Sequence, residues 1–197
     1  MKSIRNLAFS LCILFTLFAF VSKEKLVVVI DAGHGGKDHG AVVEDYREKD
    51  IVREIAMEIE KSAGKYDVEI HVIGLKDEFM ELSQRVKAAN DLNPDLLISL
   101  HVNASINKSE SGARAFVSSK NAHHEKARLF ATRILNDLNG SQEADVAEQN
   151  FFILRNAACP ALTLEVGYLS NQADREKLIS KAGQKEISEK ILKNIGG

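Results

Sequence analysis

The sequence predicts a single α/β domain with a mostly parallel, twisted sheet of about six strands and helices on both faces. The first strand, residues 26–31, is an unbroken apolar run, which is typical of a strand covered on both faces. Apolar, strand-like runs then alternate with helical patterns, as expected for a parallel sheet with crossover helices. With 197 residues, of which 45% are apolar and 27% charged, the chain can bury one sizeable core.

The elements follow one another with few ambiguities. Further strands are predicted at residues 68–75, 96–102, 113–118, 151–154 and 162–166. The first helix begins at Glu48, with apolar residues at helical spacing, and ends at Gly64. The second has its apolar stripe over residues 79–89, the third covers residues 127–140, and helical patterns fill residues 172–195. Functional sites in such sheets gather at the carboxyl ends of the strands, which selects residues 31–34, 101, 154–155 and 165.

Charge and aromatic content argue against nucleic acid as a partner. The formal net charge is −2, and no basic stripe exists that could displace counterions from a phosphate backbone. Aromatic residues are sparse, with no tryptophan.

Residues 1–22 are predicted to be a signal peptide or an N-terminal anchor, and residues 23–197 the functional domain. Lys2 and Arg5 precede an uncharged, mostly apolar stretch at residues 7–21. This stretch is short for a membrane-spanning helix, which favours a cleaved signal. If it stays uncleaved, residues 4–21 would associate with a membrane. Cys12 lies in this segment, and Cys159 alone cannot form an internal disulfide.

A glycine-rich turn follows the first strand and surrounds His34. The turn fits neither phosphate-binding template, because it contains no Gly-Lys-Ser/Thr and because Asp38 stands where a G-x-G-x-x-G motif read from Gly33 needs glycine. This disfavours a nucleotide- or phosphate-binding domain. We expect the glycines instead to clear space around the histidine.

Four side chains in the region where an α/β sheet places its site are candidates for metal chemistry. His34 follows the first strand, Glu48 begins the first helix, His101 closes the third strand and Glu165 lies in the last strand. Two histidines and a carboxylate are a common zinc ligand set that leaves a fourth position open. The open position allows zinc to activate water against a carbonyl, and a second carboxylate can carry the proton. Spacing alone does not choose between ligand sets.

Each of these residues also has a structural interpretation. His34 could bond backbone groups in its turn, and His101 could be a satisfied core histidine. Glu48 lies three residues after Asp45, as the acidic partner in a helix capping box does.

Glu165 has a structural alternative as well. Because a charge after an apolar run is costly when it is unpaired, this carboxylate could be a buried acid paired with Arg155 or Arg175.

Five segments of the chain resemble zinc-dependent N-acetylmuramoyl-L-alanine amidases of the type 3 family. In chain order they are VVVIDAGHGGKDHGAV, EKDIVREIA, LSQRVKAAN, LLISLHVNAS and PALTLEVGYLSN. The resemblance covers roughly residues 26–195, and five motifs in this order are far more specific than any single one.

The resemblance implies a role for six residues. One zinc ion would be held by His34, Glu48 and His101. Glu165 would be the catalytic acid and base. Asp31 would lie outside the ligand set and orient one of the ligands. Asn103, two residues beyond the last ligand, would contact substrate, since it shares the face of His101 in an extended strand.

The chain also departs from the family pattern. Ala32 and His39 stand where prolines are usual, and we interpret His39 as a loop residue rather than a ligand. The segment between His101 and the next strand is too short for the inserted helix that blocks the site in some members. We therefore expect an open site that needs no activator protein.

Together these observations predict an exported peptidoglycan hydrolase of the bacterial cell envelope, periplasmic or extracellular. It would cleave the amide between N-acetylmuramic acid and the L-alanine of the stem peptide. Two alternatives remain: a zinc amidohydrolase of a smaller acyl amino acid or peptide, and a non-catalytic cell-wall-binding domain. Loss of Glu165 or of a zinc ligand would indicate the second alternative, and all four residues are present.

Overall fold

Six strands form one sheet in the computed structural model, which describes residues 25–140 and 144–196. They are β1 (Leu26–Ala32), β4 (Val68–Ile73), β5 (Leu96–Asn103), β6 (Arg114–Val117), β7 (Val146–Glu148) and β8 (Ala161–Tyr168). Their order across the sheet is β4-β1-β5-β8-β6-β7, and only the β6–β8 pair is antiparallel. A separate small hairpin consists of β2 (Val42–Val43) and β3 (Tyr46–Arg47). The predicted fold class is confirmed.

Helices cover both faces of the sheet, but unequally. The helices are α1 (Glu48–Ser62), α2 (Leu82–Asp91), α3 (His124–Asn139), α4 (Phe152–Asn156), α5 (Gln172–Ile179) and α6 (Lys181–Gly196). The long helices α1, α3 and α6 pack on the face to which Val28 and Ile30 of β1 point. The short helices α2 and α4 pack on the other face, around Val29. Because side chains alternate along a strand, Asp31 lies on this second, thinly covered face.

The predicted strand at residues 151–154 is wrong. These residues lead into helix α4, and the sixth strand is β7, which pairs in parallel with β6. A run of four apolar residues fits a strand and a buried helix equally well. Ile153 and Leu154 of α4 are buried in the apolar cluster on the α2 side of the sheet.

Helix α2 begins three residues later than its apolar stripe suggests. Glu81 and Gln84 form a reciprocal capping box, which fixes the start of the helix at Leu82. Phe79 therefore lies outside the helix and is 40% exposed.

The segment predicted as a signal or anchor, residues 1–22, lies outside the described residues. Within residues 25–140 and 144–196, no helix combines the length and apolar character needed to cross a membrane.

Candidate active site

The loop that carries His34, which we call the histidine loop (residues 33–40), packs closely against the neighbouring side chains. A Cβ atom on Gly33 would lie 2.4 Å from Cε1 of His101. A Cβ atom on Gly40 would lie 2.5 Å from Oε2 of Glu48 and 2.6 Å from Cδ2 of His34. These glycines are therefore needed for close approach: Gly33 leaves room for the ring of His101, and Gly40 for Glu48 and His34. The prediction that the glycines flanking His34 clear space around it is wrong, because Gly33 faces His101 and the two glycines after His34 face the backbone of residues 78–79.

Three candidate ligands converge above the ends of β1 and β5. Oε1 of Glu48 lies 3.1 Å from Nε2 of His34 and 2.9 Å from Nδ1 of His101. In the described part of the chain, this is the one group of His, Cys, Asp or Glu side chains whose donor atoms all lie within 4.8 Å of one another. The two imidazole rings meet edge to face, with centroids 5.0 Å apart. The arrangement can hold a metal ion.

Glu48 is directed away from its own helix. It is the first residue of α1, and the side chain of the residue before it makes no capping hydrogen bond. Its Oε2 accepts a hydrogen bond from the amide of Ala41 (2.8 Å), and its Oε1 accepts one from the amide of Val102 (3.0 Å). The capping interpretation is therefore wrong. Burial raises the pKa of Glu48, but hydrogen bonds from His101 and His34 outweigh this and hold the pKa far below its usual range.

Asp38 orients His34, a role that the sequence analysis missed. Its Oδ2 lies 2.8 Å from Nδ1 of His34, and its Oδ1 accepts a hydrogen bond from the amide of Gly40. Burial lowers the pKa of His34, but the contacts with Glu48 and Asp38 more than compensate and raise it to about 9. A carboxylate on the far nitrogen is the usual partner of a metal-ligating histidine. The sequence feature that could have revealed this role is the acid four residues after the histidine.

Asp31 contacts no candidate ligand side chain among the described residues. Its Oδ1 accepts a hydrogen bond from Nη1 of Arg85 (2.6 Å), and its Oδ2 accepts one from Oγ of Ser99 (2.9 Å). Arg85 also donates to the backbone carbonyl of His34, so Asp31 reaches the histidine loop only through this arginine. Both charges are almost fully buried, and removal of one partner from such a pair costs about 3–5 kcal/mol.

Glu165 lies beside the ligand group with one oxygen unpaired. In the parallel register of β5 and β8 it pairs with His101. Its Oε2 is buried and has no hydrogen-bond partner within the described residues, and burial raises the pKa of this carboxyl group. Arg155 and Arg175, the pairing partners that the sequence left open, bond to other groups.

The two remaining residues, Asn103 and His39, lie outside both the cavity and the ligand group. Oδ1 of Asn103 accepts a hydrogen bond from the amide of Ala104 (2.8 Å), and the ladder between β5 and β8 is irregular between His101 and Asn103. Asn103 does not line the cavity to which His34, His101 and Glu165 contribute. His39 is exposed and lies outside the ligand group.

A groove of about 330 Å³ runs between α2 and α4 on the thinly covered face of the sheet. His34, His101 and Glu165 are among its lining residues. Six apolar residues form its two walls: Phe79, Met80, Leu82, Phe151, Phe152 and Ile153. The groove gives a substrate direct access to the candidate ligands and to the unpaired carboxylate.

The donor chemistry narrows the class of protein. Imidazole nitrogens and one carboxylate match zinc's preferences, and three protein ligands leave room for water and substrate. An α/β sheet that carries such a group beside an unpaired acid is compatible with a hydrolase in which a metal ion activates water.

Comparison with known proteins assigns the family. The family model described as N-acetylmuramoyl-L-alanine amidase matches residues 28–196, and the chain belongs to this family. The germination-specific N-acetylmuramoyl-L-alanine amidase of Bacillus subtilis (strain 168) is 29% identical over 86% of this chain and 78% of its own length. YqiI of the same organism, an uncharacterized protein, is 30% identical over 87% of this chain and 84% of its own length.

A solved structure agrees with the assignment. The catalytic domain of CwlV, an N-acetylmuramoyl-L-alanine amidase from Bacillus (Paenibacillus) polymyxa, superimposes with a TM-score of 0.76 at 30% identity. The match covers 86% of this chain and 96% of that domain. The predicted family and enzyme class are thus confirmed: the protein is a peptidoglycan hydrolase that acts on the amide between N-acetylmuramic acid and L-alanine.

Proposed function

We propose that this amidase works with one zinc ion held by His34, Glu48 and His101, and that Glu165 carries the proton during hydrolysis. The observation that carries the proposal is the convergence of three donor atoms next to a buried carboxylate oxygen for which residues 25–140 and 144–196 provide no hydrogen-bond partner. The donor set fits zinc, because two imidazoles and one carboxylate leave a coordination position open.

Zinc bound there would supply Lewis acidity, which polarises a carbonyl and lowers the pKa of water. No group in the described part of the chain forms a competing hydrogen bond with Oε2 of Glu165, so this oxygen can accept the proton of the attacking water. Because burial raises its pKa, the protonated carboxyl group can persist long enough to deliver the proton to the leaving amine. Asp38 holds the His34 ring, which keeps Nε2 directed at the ligand group.

The groove would hold the substrate. Its apolar walls suit the lactyl and alanyl methyl groups that flank the scissile amide. We also propose that Asn103 contacts substrate through Nδ2, since its Oδ1 is engaged with Ala104.

The site would be open without an activator protein. Residues 104–113, between β5 and β6, contain turns and bends and no helix, so this segment provides no built-in lid. Action on the cell wall requires an exported protein, and residues 1–22 would provide the signal, or a membrane anchor through residues 4–21 if they remain attached. The protein would then work in the bacterial cell envelope.

The proposal is tested by digesting purified, unmodified peptidoglycan with residues 23–197, with and without a zinc chelator. Mass spectrometry of the soluble products should show stem peptides with a free L-alanine amine. These products should disappear with chelator and return with zinc, and the zinc-loaded Glu165→Gln variant is the matched control.

Other outcomes would point to the alternatives. Turnover of small acyl amino acids but not of peptidoglycan would favour a zinc amidohydrolase with a smaller substrate. A zinc-loaded protein that releases no product would point to a wall-binding domain. Activity only after an activator protein is added would contradict the open site.

A further inference from the structure

We propose that Arg85 is a positioning residue for the metal site: it holds the backbone of His34 in the turn that directs the imidazole at Glu48. This inference rests on the proposed zinc-dependent function. It concerns how the ligand geometry is fixed before any metal binds.

The guanidinium of Arg85 bridges the start of the histidine loop. Arg85 lies on α2 and is 3% exposed. Its Nη1 donates to Oδ1 of Asp31 (2.6 Å) and to the carbonyl of Ala32 (2.7 Å), and its Nη2 donates to the carbonyl of His34. One side chain therefore fixes the carbonyls on both sides of Gly33.

His34 needs such support because of its backbone conformation. Its φ is 64°, in the left-handed region that residues with a Cβ atom rarely adopt. Without external bonds the turn would relax toward right-handed conformations, and the direction of the imidazole would change with it. The bond from Nη2 of Arg85 acts on the backbone of the strained residue itself.

A second brace holds the loop further along the chain. Asp77 accepts a hydrogen bond from the amide of Gly36 (2.9 Å), and Nζ of Lys49 donates to the carbonyl of Gly36 (2.8 Å). This brace fixes the exit of the turn but does not contact His34. Arg85 and the Lys49–Asp77 pair therefore hold different points of the loop.

Arginine is specifically suited to this position. Its planar fork presents donors in several fixed directions, so that two nitrogens can serve different acceptors at the same time. A lysine ammonium could still neutralise Asp31, but it lacks the second nitrogen with which Arg85 bonds to the carbonyl of His34. Gly74 packs its backbone on this cluster, since a Cβ atom there would lie 2.6 Å from the carbonyl oxygen of Ala32 and 3.2 Å from Nη1 of Arg85.

The test compares Arg85→Lys with Ser99→Ala in the purified protein. Arg85→Lys keeps the buried charge pair and removes the bond to His34. Ser99→Ala removes a hydrogen bond to the same Asp31 and leaves the histidine loop untouched. We measure the zinc dissociation constant by competition with a chelating dye, together with the melting temperature of each metal-free protein.

Arg85→Lys should weaken zinc binding about 10–100-fold, the range found when a partner outside the ligand set is lost. Ser99→Ala should change zinc affinity less than about threefold, even if its melting temperature falls as far as that of Arg85→Lys. Equal effects of the two variants on zinc affinity, or none from Arg85→Lys, would overturn the proposal.

Hydrogen–deuterium exchange provides a readout that needs neither activity nor a folded variant. In the wild-type protein, the amides of Gly33, Gly35 and Gly36 all donate hydrogen bonds. The bond from Gly35 stays within the loop, and the other two lead to neighbouring segments. Peptides covering residues 32–40 should be equally protected with and without zinc if the turn is preformed. Much faster exchange without zinc would show that the metal, not Arg85, shapes the turn. Wild-type protein that binds no zinc would refute the proposed function, while the exchange result would still test preformation.

Discussion

The two sides of the groove differ in how completely their polar groups are bonded. On the histidine-loop side, Glu48 accepts two backbone hydrogen bonds besides its contacts with both imidazoles, and Asp38 holds the far nitrogen of His34. On the β8 side, Oε2 of Glu165 is buried without a partner among the described residues. The first side is fixed by its own network, whereas the second has a polar atom that only substrate or solvent can satisfy.

In the function that we propose, this difference separates two tasks within one site. A metal ligand works best in one fixed position, and the network around Glu48 provides this. A proton carrier must exchange partners during the reaction, and a buried carboxylate that is permanently bonded could not. An unpaired buried polar atom is costly, and its position beside the ligand group supports the role that we propose for Glu165.

The largest effect should follow from loss of a ligand on the bonded side. His101→Ala should lower zinc affinity by more than about 100-fold, since removal of a ligand exceeds the cost of losing an outer partner. Amidase activity should disappear with the metal. Zinc content after dialysis and the digest of peptidoglycan measure both effects. His39→Ala is the control, because this exposed histidine belongs to the same loop but not to the ligand group.

Loss of the unpaired carboxylate should separate activity from metal binding. Glu165→Gln should retain zinc and lose about 10²–10⁴-fold in turnover, because the ligands remain and the proton carrier is gone. Steady-state kinetics with a soluble muropeptide and zinc analysis of the same sample test this. Glu81→Gln is the control, since it alters another carboxylate of the groove while keeping an oxygen for the helix cap. Unchanged turnover in Glu165→Gln would remove this residue from the mechanism.

A smaller effect is expected for the partner of His34. Asp38→Asn should weaken zinc binding about 10–100-fold, because the ring loses the carboxylate that orients it and raises its basicity. The competition assay with a chelating dye measures the change. If zinc affinity stays at the wild-type value, the Asp38–His34 contact has no role in metal binding.

Zinc affinity should also depend on pH. In the metal-free protein the pKa of His34 is about 9, so the ring is protonated at neutral pH and must release a proton before it can bind zinc. The apparent affinity should therefore rise about tenfold per pH unit as the pH increases toward 9, and then level off. Titrations across this range, with zinc hydrolysis taken into account, test the sign. An affinity that falls as the pH rises would contradict it.

Most of the fold could be predicted from periodicity. The strand at residues 26–31 and the helix beginning at Glu48 were clear because their apolar residues recur with the period of their element. The run FFIL at residues 151–154 carries no period, and only its packing against the sheet decides that it is helical. Strand β7 is three residues long and is defined by its pairing with β6, which the sequence does not show.

Four residues of the candidate site could be predicted from their side-chain chemistry and their place in the predicted fold. His34, Glu48, His101 and Glu165 stand out because their chemistry lies in the region where an α/β sheet places its site. The roles of Asp38 and Arg85 depend on distances across the fold: Arg85 lies 51 residues from His34 along the chain. A sequence shows that a carboxylate or a guanidinium exists, but which carbonyl it reaches is decided by tertiary packing.

The most direct test of the account is an anomalous diffraction map recorded at the zinc edge from crystals of the zinc-loaded protein. One peak should lie between Nε2 of His34, the Glu48 carboxylate and Nδ1 of His101, with Glu165 outside bonding distance. A peak that includes Glu165 or Asp38 as a ligand, or one located elsewhere, would contradict the division of the groove into a metal-binding side and a proton-carrying side.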